Sequence, residues 1–516
     1  MTDTLHDRHV LVLGLGASGL AMARWCAEQG ARVTVADTRQ EPPGLPALRE
    51  QLPQARFAAG AFGPELLGEG VQLVLRSPGL APQQVAPVCD AARERGLRVG
   101  GELSLFADAL AELGARQDYR PQVLAVTGTN GKTTVTALAG QLVERAGRTV
   151  AVAGNIGPTL LDTLRERCAA GTLPQVWVVE LSSFQLETAE GFEPTAATVL
   201  NVTQDHLDWH GTMAAYAAAK ARVFGTRALM VLNRDDALVM DMLPPAVRVK
   251  GGRMEQREHV TFGAAAPRRA GDWGIEVVNG MAWLVRAQPA DETQKKRGTQ
   301  ARQAAASQGE DDDELFIQRL MPADALRIRG RHNAVNALAA LALAASAGCP
   351  LGPMLYGLRE YRGEPHRVES VGMVNGVEYF DDSKGTNVGA TVAALQGLGA
   401  ERPLVVILGG DGKGQDFSPL AAPVARHARA VVLIGRDAPL VRSALQACGV
   451  PLLDAGTMQE AVALATQRAH AGDAVLLSPA CASFDMFRDY PHRAAVFRAA
   501  VQAVADDAGQ QLEGAA

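Results

Sequence analysis

The sequence predicts an α/β protein of three domains, each built on a parallel sheet wrapped by helices. Three observations predict it. A strand, the turn Gly14-Leu-Gly16-Ala-Ser18-Gly19, a helix and a second strand open the chain. A second series restarts on Val123-Leu-Ala-Val-Thr127-Gly128-Thr129-Asn130-Gly131-Lys132-Thr133-Thr134. A third alternation of apolar strands and helices begins near Gly363. At 516 residues the chain is too long for one core, so several domains are expected. The expected limits are 1–101, 102–363 and 364–516.

In the first unit, His9–Leu13 and Arg32–Ala36 read as strands around a helix running to Gly30. The G-x-G-x-x-G turn with Asp37 about 20 positions on is a Rossmann-like βαβ signature. It admits NAD, and equally any pyrophosphate at a helix N-terminus, including that of a UDP-sugar. Asp37 is either a ribose or uracil acceptor or a solvated strand end. Val71–Arg76 is a further strand, and Ser77-Pro78-Gly79 follows where an open parallel sheet keeps its ligand crevice.

The second unit carries the phosphate loop. Glycines let backbone N–H groups approach phosphates, Lys132 reaches the β/γ oxygens, and a threonine hydroxyl can hold Mg²⁺. Val126 stands where the usual G-x-x-x-x-G-K-[ST] pattern has glycine, so the loop is a variant. A nucleoside triphosphate is the first substrate proposed. Thr149–Ala153 is followed by Gly154-Asn155-Ile156-Gly157. Val176–Glu180 ends in an acid downstream of the loop, the place for a metal-binding carboxylate or else a surface one. Ala196–Leu200 leads to Asn201-Val-Thr-Gln-Asp205-His206, an imidazole and carboxylate able to bind metal or move protons. Lys220, in the alanine-rich helix Tyr216–Phe224, reads on its own as a solvated lysine. Residues 287–314 lack apolar periodicity and carry like-charge blocks, which reads as a disordered insertion. Asn333 and Asn336 share a helix face, either to read a base edge or as a cap and a surface amide.

The third unit opens with a hairpin, Val368–Val374 and Gly376–Phe380, turned at Asn375-Gly376. Strands Pro403–Leu408, Ala430–Ile434 and Ala474–Leu477 follow. Lys384, Thr386, Lys413 and Ser483 lie past strand ends, a grouping of cations and hydroxyls that suits a carboxylate-rich small substrate. Cys481 has no base nearby in sequence and is not read as a nucleophile.

Composition bounds the rest. Hydrophobic residues are 47% and charged ones 21%, a globular balance. A net charge of −6 argues against non-specific nucleic-acid binding. Six scattered cysteines form neither a disulfide frame nor a zinc cluster. The polar N-terminus lacks a secretory layout, and the longest apolar run, Ala337–Ala345, is too short to span a bilayer. The expectation is a cytoplasmic, monomeric protein with no nucleic-acid partner.

Five motifs carry a family resemblance. Gly128-Thr-Asn-Gly-Lys132-Thr-Thr, Glu180-Leu-Ser-Ser-Phe-Gln-Leu-Glu187, Asn201-Val-Thr-Gln-Asp-His206-Leu-Asp, His332-Asn333-x-x-Asn336 and Asp382-Ser-Lys384-Gly-Thr386-Asn387 resemble the ATP-dependent Mur ligases of peptidoglycan synthesis. Gly409-Gly-Asp-Gly-Lys413 and Leu477-Ser-Pro-Ala-Cys-Ala-Ser483-Phe-Asp are similar to the branch that adds D-glutamate, and no Asp-Asn-Pro-Arg motif of the diaminopimelate-adding branch occurs. The resemblance implies three domains and the substrates ATP, UDP-N-acetylmuramoyl-L-alanine and D-glutamate. It implies attack of an alanyl carboxylate on the γ-phosphate, then displacement of phosphate from the acyl phosphate by the D-glutamate amine.

It also implies roles residue by residue. Gly128, Thr129, Asn130, Gly131, Lys132, Thr133 and Thr134 would cradle ATP, with Asn333, Asn336, Arg367 and Asp382 on adenine, phosphate and ribose. Two Mg²⁺ ions would be held by Thr133 and Glu180, and by His206 with Lys220 as a CO₂-derived carbamate. Ala17, Ser18, Asp37, Thr38, Arg39, Ser77 and Gly79 would hold the uridine nucleotide and Asn155 the sugar-peptide part. Lys384, Thr386, Lys413, Ser483 and Tyr490 would hold D-glutamate, with Tyr490 standing where the family has phenylalanine. The competing readings are a sister ligase using another amino acid, an NAD-dependent oxidoreductase built on Gly14–Asp37, and a non-catalytic ATP-binding module.

Overall fold

The computed structural model describes residues 5–512 apart from 69, 249–251, 253 and 291–314. Three parallel-type sheets follow one another along the chain. The first has the order β3-β2-β1-β4-β5, from His9–Leu13 (β1), Arg32–Asp37 (β2), Arg56–Ala59 (β3), Val71–Arg76 (β4) and Arg98–Gly100 (β5). All its pairings are parallel. Valine and leucine dominate because both faces are covered by helices. The order reverses at β1, so the Gly14 turn and Ser77 flank the crevice.

The second sheet is built from Gln122–Thr127 (β6), Val150–Gly154 (β7), Val176–Glu180 (β8), Ala196–Val199 (β9), Leu229–Asn233 (β10) and His259–Phe262. Val247–Arg248 (β11) and Met254–Glu255 (β12) form a small antiparallel pair before that last strand, β13. The order β13-β10-β9-β6-β8-β7 puts β6 between β8 and β9. The segments leaving β6, β8 and β9 therefore meet at one carboxyl edge.

A three-stranded antiparallel sheet, Trp273–Val278 (β14), Met281–Pro289 (β15) and Leu315–Pro322 (β16), was not foreseen. It corrects the reading of 287–314 as a disordered insertion. Ala287 is fully buried and pairs with Ile317, and Pro289 pairs with Leu315. The remainder of that call, from 291 to 314, lies outside the described residues. The sheet covers the helix Arg331–Ser346, whose Ala337–Ala344 are buried on every side. That is why this run is apolar all round without crossing a membrane. Among the described residues no helix is long and apolar enough to do so.

The third sheet has the order β17-β18-β22-β19-β20-β21, from Glu369–Val374 (β17), Val377–Asp381 (β18), Leu404–Gly409 (β19), Ala428–Ile434 (β20), Leu452–Asp454 (β21) and Ala474–Leu477 (β22). The hairpin β17–β18 turns on Asn375 and Gly376, both at positive φ (51° and 75°), as an Asn-Gly turn of matching twist requires. Neighbouring β18, β22 and β19 bring the segments after Asp381, Leu477 and Gly409 to one edge.

Candidate active site

The phosphate loop leaves β6 and ends in the helix Lys132–Arg145. Gly128 (φ 155°) and Gly131 (φ 83°) take conformations that side chains resist. A Cβ on Gly131 would also meet Asn336 Oδ1 at 2.9 Å. Thr129 donates to the Thr203 carbonyl at 3.2 Å, and the Asn130 N–H donates to Asn201 Oδ1 at 2.9 Å. The segment after β9 thus braces the loop. Lys132 Nζ folds over it, donating to the carbonyls of Gly128 and Thr129, both at 2.9 Å.

Glu180, at the end of β8, is buried. Its Oε1 accepts from Asn155 Nδ2 at 2.9 Å, and the Asn155 N–H donates to the Glu180 carbonyl at 2.8 Å. Asn155 is therefore gathered to this carboxylate rather than to the first sheet. The Thr133 hydroxyl accepts from Arg367 Nη2 at 2.6 Å, a bond from the third-sheet side of the cleft.

Lys220 departs most from its sequence reading as a solvated lysine. It is 1% exposed. Its Nζ donates to the Gly128 carbonyl at 2.8 Å and lies 4.4 Å from the Tyr216 ring centroid. Burial drives its pKa well down, the nearby Lys132 charge adds to this, and Asp205 opposes it. The uncharged form of the amine is thereby favoured. His206 (φ 51°) starts the short helix Leu207–His210. Its Nε2 is 3.7 Å from Asp205 Oδ2, and burial lowers its pKa against the Asp205 charge, with Lys413, Lys132 and Lys220 also lowering it.

One cavity between the second and third sheets is lined by Asn130, Gly131, Thr134, Asn333, Asn336, Arg367, Asp382 and Lys384, among others. Asn336 Nδ2 donates to Asn333 Oδ1 at 3.1 Å, and Asn333 Nδ2 donates to the Arg329 carbonyl at 2.7 Å. Both amides share the cavity face, and the helix cap is Gly330, not Asn333. Asp382 accepts from Ser478 Oγ at 2.6 Å. Burial pushes its carboxyl up to about 7, against the Ser478 bond and the Arg367 charge.

Lys384 Nζ lies 4.2 Å from the Tyr490 ring centroid, so the tyrosine serves as a platform for the cation. Burial, then Arg367 and Lys132, lower Lys384 to about 8. Thr386 is half-buried in the same loop, Ser483 is buried after β22, and Lys413 (φ 50°) is exposed after β19. Cys481 is buried, which raises its thiol to about 12 and leaves it inert.

At the first sheet, Ser77 Oγ donates to the Gly14 carbonyl at 3.0 Å. A Cβ on Gly19 would sit 1.9 Å from the Gly14 carbonyl oxygen, so only glycine fits there. Asp37 is buried and accepts from the N–H groups of Leu15 (2.8 Å) and Arg39 (3.0 Å) and from the Arg39 guanidinium. Burial pushes its pKa up, but the Arg39 and Leu15 bonds outweigh it and hold the carboxyl at about 2. Asp37 thus fixes the turn and aims Arg39. Ala17, Thr38, Arg39 and Gly79 line the exposed rim, with Ser18 half-buried behind them.

Three family models match: the Mur ligase MurD-like N-terminal domain over 8–101, the Mur ligase middle domain over 126–267, and the Mur ligase glutamate ligase domain over 366–481. A UDP-N-acetylmuramoylalanine–D-glutamate ligase of Albidiferax ferrireducens is 69% identical over 515 residues, 100% of both chains. The chain belongs to the Mur ligase family. A ligase of the same name from Burkholderia pseudomallei is 60% identical, covering 98% of each chain. The fold is also that of two solved Thermotoga maritima structures. UDP-N-acetylmuramate-alanine ligase MurC matches at TM-score 0.53 and 19% identity over 96% of this chain and all of that one. MurF ligase in complex with ADP matches at TM-score 0.56 and 14% identity over 98% of this chain and all of that one.

Sequence reasoning passed over several residues that hold this Mur ligase site together. Asn387 caps the helix Val388–Gly399, exchanges amide bonds with Asn130 (3.1 and 3.3 Å) and donates to Asp205 Oδ2 at 3.2 Å. Its place beside Thr386 in a quoted motif was the available signal. Arg493 is fully buried and donates to Ser383 Oγ, the Ser383 carbonyl and the Cys481 carbonyl, tying together the loops after β18 and β22. An arginine in an amphipathic C-terminal helix gave no sign of this. Buried Glu102 accepts from the Leu161 N–H at 3.2 Å and from the Ser18 hydroxyl, joining the first sheet's turn to the second domain. His366, Glu369 and Asp381 also cluster, but Arg498 pairs with both carboxylates, which makes this an ion-pair network.

Proposed function

We propose that this Mur ligase joins D-glutamate to UDP-N-acetylmuramoyl-L-alanine with cleavage of ATP to ADP and phosphate, in cytoplasmic peptidoglycan precursor synthesis. The observation that carries this reading is a cationic acceptor site set against the phosphate loop. Lys384 lines the same cavity as the phosphate-loop residues Asn130, Gly131 and Thr134, and Lys413 follows β19 at the neighbouring sheet edge. An amino acid with an extra carboxylate suits that field. The names of the full-length relatives support the same substrate pair.

The domain limits we propose are 1–101 for the uridine nucleotide, 102–363 for ATP and 364–516 for the amino acid. The residues implied by the resemblance take the roles given to them there. The donor set fits Mg²⁺: Thr133 and Glu180 offer hard oxygens beside the phosphate loop, and His206 offers a ring nitrogen in the segment after β9. Bound there, the cation neutralises phosphate charge. Lys132 holds the β/γ oxygens. Asn333 and Asn336 read the base, Asp382 the ribose, and Arg367 bridges the phosphates to the third domain. The alanyl carboxylate then attacks phosphorus in line, and the D-glutamate amine displaces phosphate from the acyl phosphate, losing its proton.

Lys220 acts, on this reading, as a carbamate. Its neutral amine adds to CO₂ and releases one proton, which turns a buried cation site into a carboxylate-like one. Its burial and depressed pKa support this, since only the uncharged amine reacts. The chain acts, on the same reading, as a monomer. In Lys132→Ala, ADP formation dependent on both co-substrates should fall at least about a thousandfold, because phosphate positioning and charge are lost together. Near-normal turnover would remove the phosphate-loop assignment.

A further inference from the structure

On the substrate reading above, one molecule must reach from the turn after β4 to the phosphate loop, across two domains. An ion pair between a buried arginine and a half-buried glutamate spans that gap. Arg76 ends β4, one residue before Ser77, and is 6% exposed. Its guanidinium leaves its own domain. Nη2 donates to Glu187 Oε2 at 3.0 Å, and the guanidinium carbon lies 5.5 Å from the Trp209 ring centroid. Trp209 Nε1 donates to the same Glu187 oxygen at 3.2 Å. Glu187 ends the helix Ser183–Glu187 that follows Glu180. Trp209 stands three residues past His206, and Phe184 packs on both rings, at 4.8 Å from His206 and 4.3 Å from Trp209. Arg76 Nε is buried without a hydrogen-bond partner among the described residues. A desolvated arginine with an unsatisfied donor is a poor choice for stability alone and a good one for fixing geometry.

We propose that Arg76, Glu187 and Trp209 are positioning residues that set the separation between the Ser77 turn and the His206 loop. They let the uridine end and the alanyl carboxylate of one substrate be held at once. None touches the reacting atoms. The bridge acts through Ser77 on one side and through Phe184 and His206 on the other.

Calorimetric binding of UDP and of UDP-N-acetylmuramoyl-L-alanine, with Mg²⁺ and a non-hydrolysable ATP analogue present, tests this in the full chain. Arg76→Ala and Trp209→Ala should bind UDP within about twofold of wild type and the full substrate about tenfold more weakly, the scale of one charge-assisted bond. The double variant should be no worse than either single one, since both remove one bridge. Arg76→Lys and Trp209→Phe give the same comparison, with smaller losses, if the alanine variants do not fold. Equal loss of UDP affinity would mean local damage to the Ser77 turn and would overturn the proposal. So would unchanged binding of both ligands, or additive losses. A wild-type protein that binds the full substrate no better than UDP would overturn the substrate reading itself.

Discussion

At the scale of single residues, two lysines carry the most testable chemistry. Lys220 is buried beside Lys132, and burial together with that charge drives its pKa well down. Lys220→Ala should be inactive and be partly restored by short carboxylates such as formate or acetate. In ¹³CO₂-equilibrated wild type, a carbamate carbon resonance should appear that the variant lacks. Full activity in the variant would remove the carbamate role. Lys384 sits at about 8, lowered by burial and then by Arg367 and Lys132. It is charged below that pH and neutral above. The KM for D-glutamate should therefore rise several-fold as pH climbs through about 8, with the KM for ATP steady. Lys384→Arg should move that rise to higher pH. The placing of Lys132, Glu180 and His206 at strand carboxyl ends was legible because each closes or follows an apolar strand in a recognisable pattern. The burial of Lys220 was not legible, since an alanine-rich helix gives no hint of which face meets the phosphate loop. Arg493 and Glu102 were silent for the same reason: their partners are carbonyls, hydroxyls and N–H groups far away in sequence.

At the scale of elements, the parallel strands announced themselves as short valine and leucine runs ending in glycine, serine or acid. The antiparallel sheet β14–β16 did not. Its strands are half-exposed, and β15 is separated from β16 by a polar stretch that hid their pairing. This has a measurable consequence. Deleting 287–314 removes buried Ala287, whose N–H donates to the Asp272 carbonyl and whose carbonyl accepts from Gly271, both at 2.9 Å. The central domain should lose about 2 kcal/mol, the worth of two backbone hydrogen bonds, seen as a lower thermal midpoint. Deleting only 291–314, closed by a short glycine-serine link, should leave both the midpoint and turnover within a few-fold of wild type. Equal effects from the two deletions would contradict this place for β15.

At the scale of the whole molecule, side chains near the carboxyl edges of the three sheets bond across from one sheet to another. The order of the sheets could be read from motif spacing, but how they meet could not. Arg367 reaches Thr133, Asn387 reaches Asn130 and Asp205, and Arg76 reaches Glu187. Each bond links residues more than a hundred positions apart, and no local pattern encodes it. The same view decides between the functions the first motif allowed. A dinucleotide oxidoreductase would leave the phosphate loop and the cationic edge of the third sheet without a task. The most direct measurement is ADP release with UDP-N-acetylmuramoyl-L-alanine across L-alanine, D-glutamate, L-lysine and diaminopimelate. Turnover with D-glutamate alone, and none without the nucleotide substrate, is the expected result. Preference for another amino acid, or NADH turnover without ADP release, would contradict it.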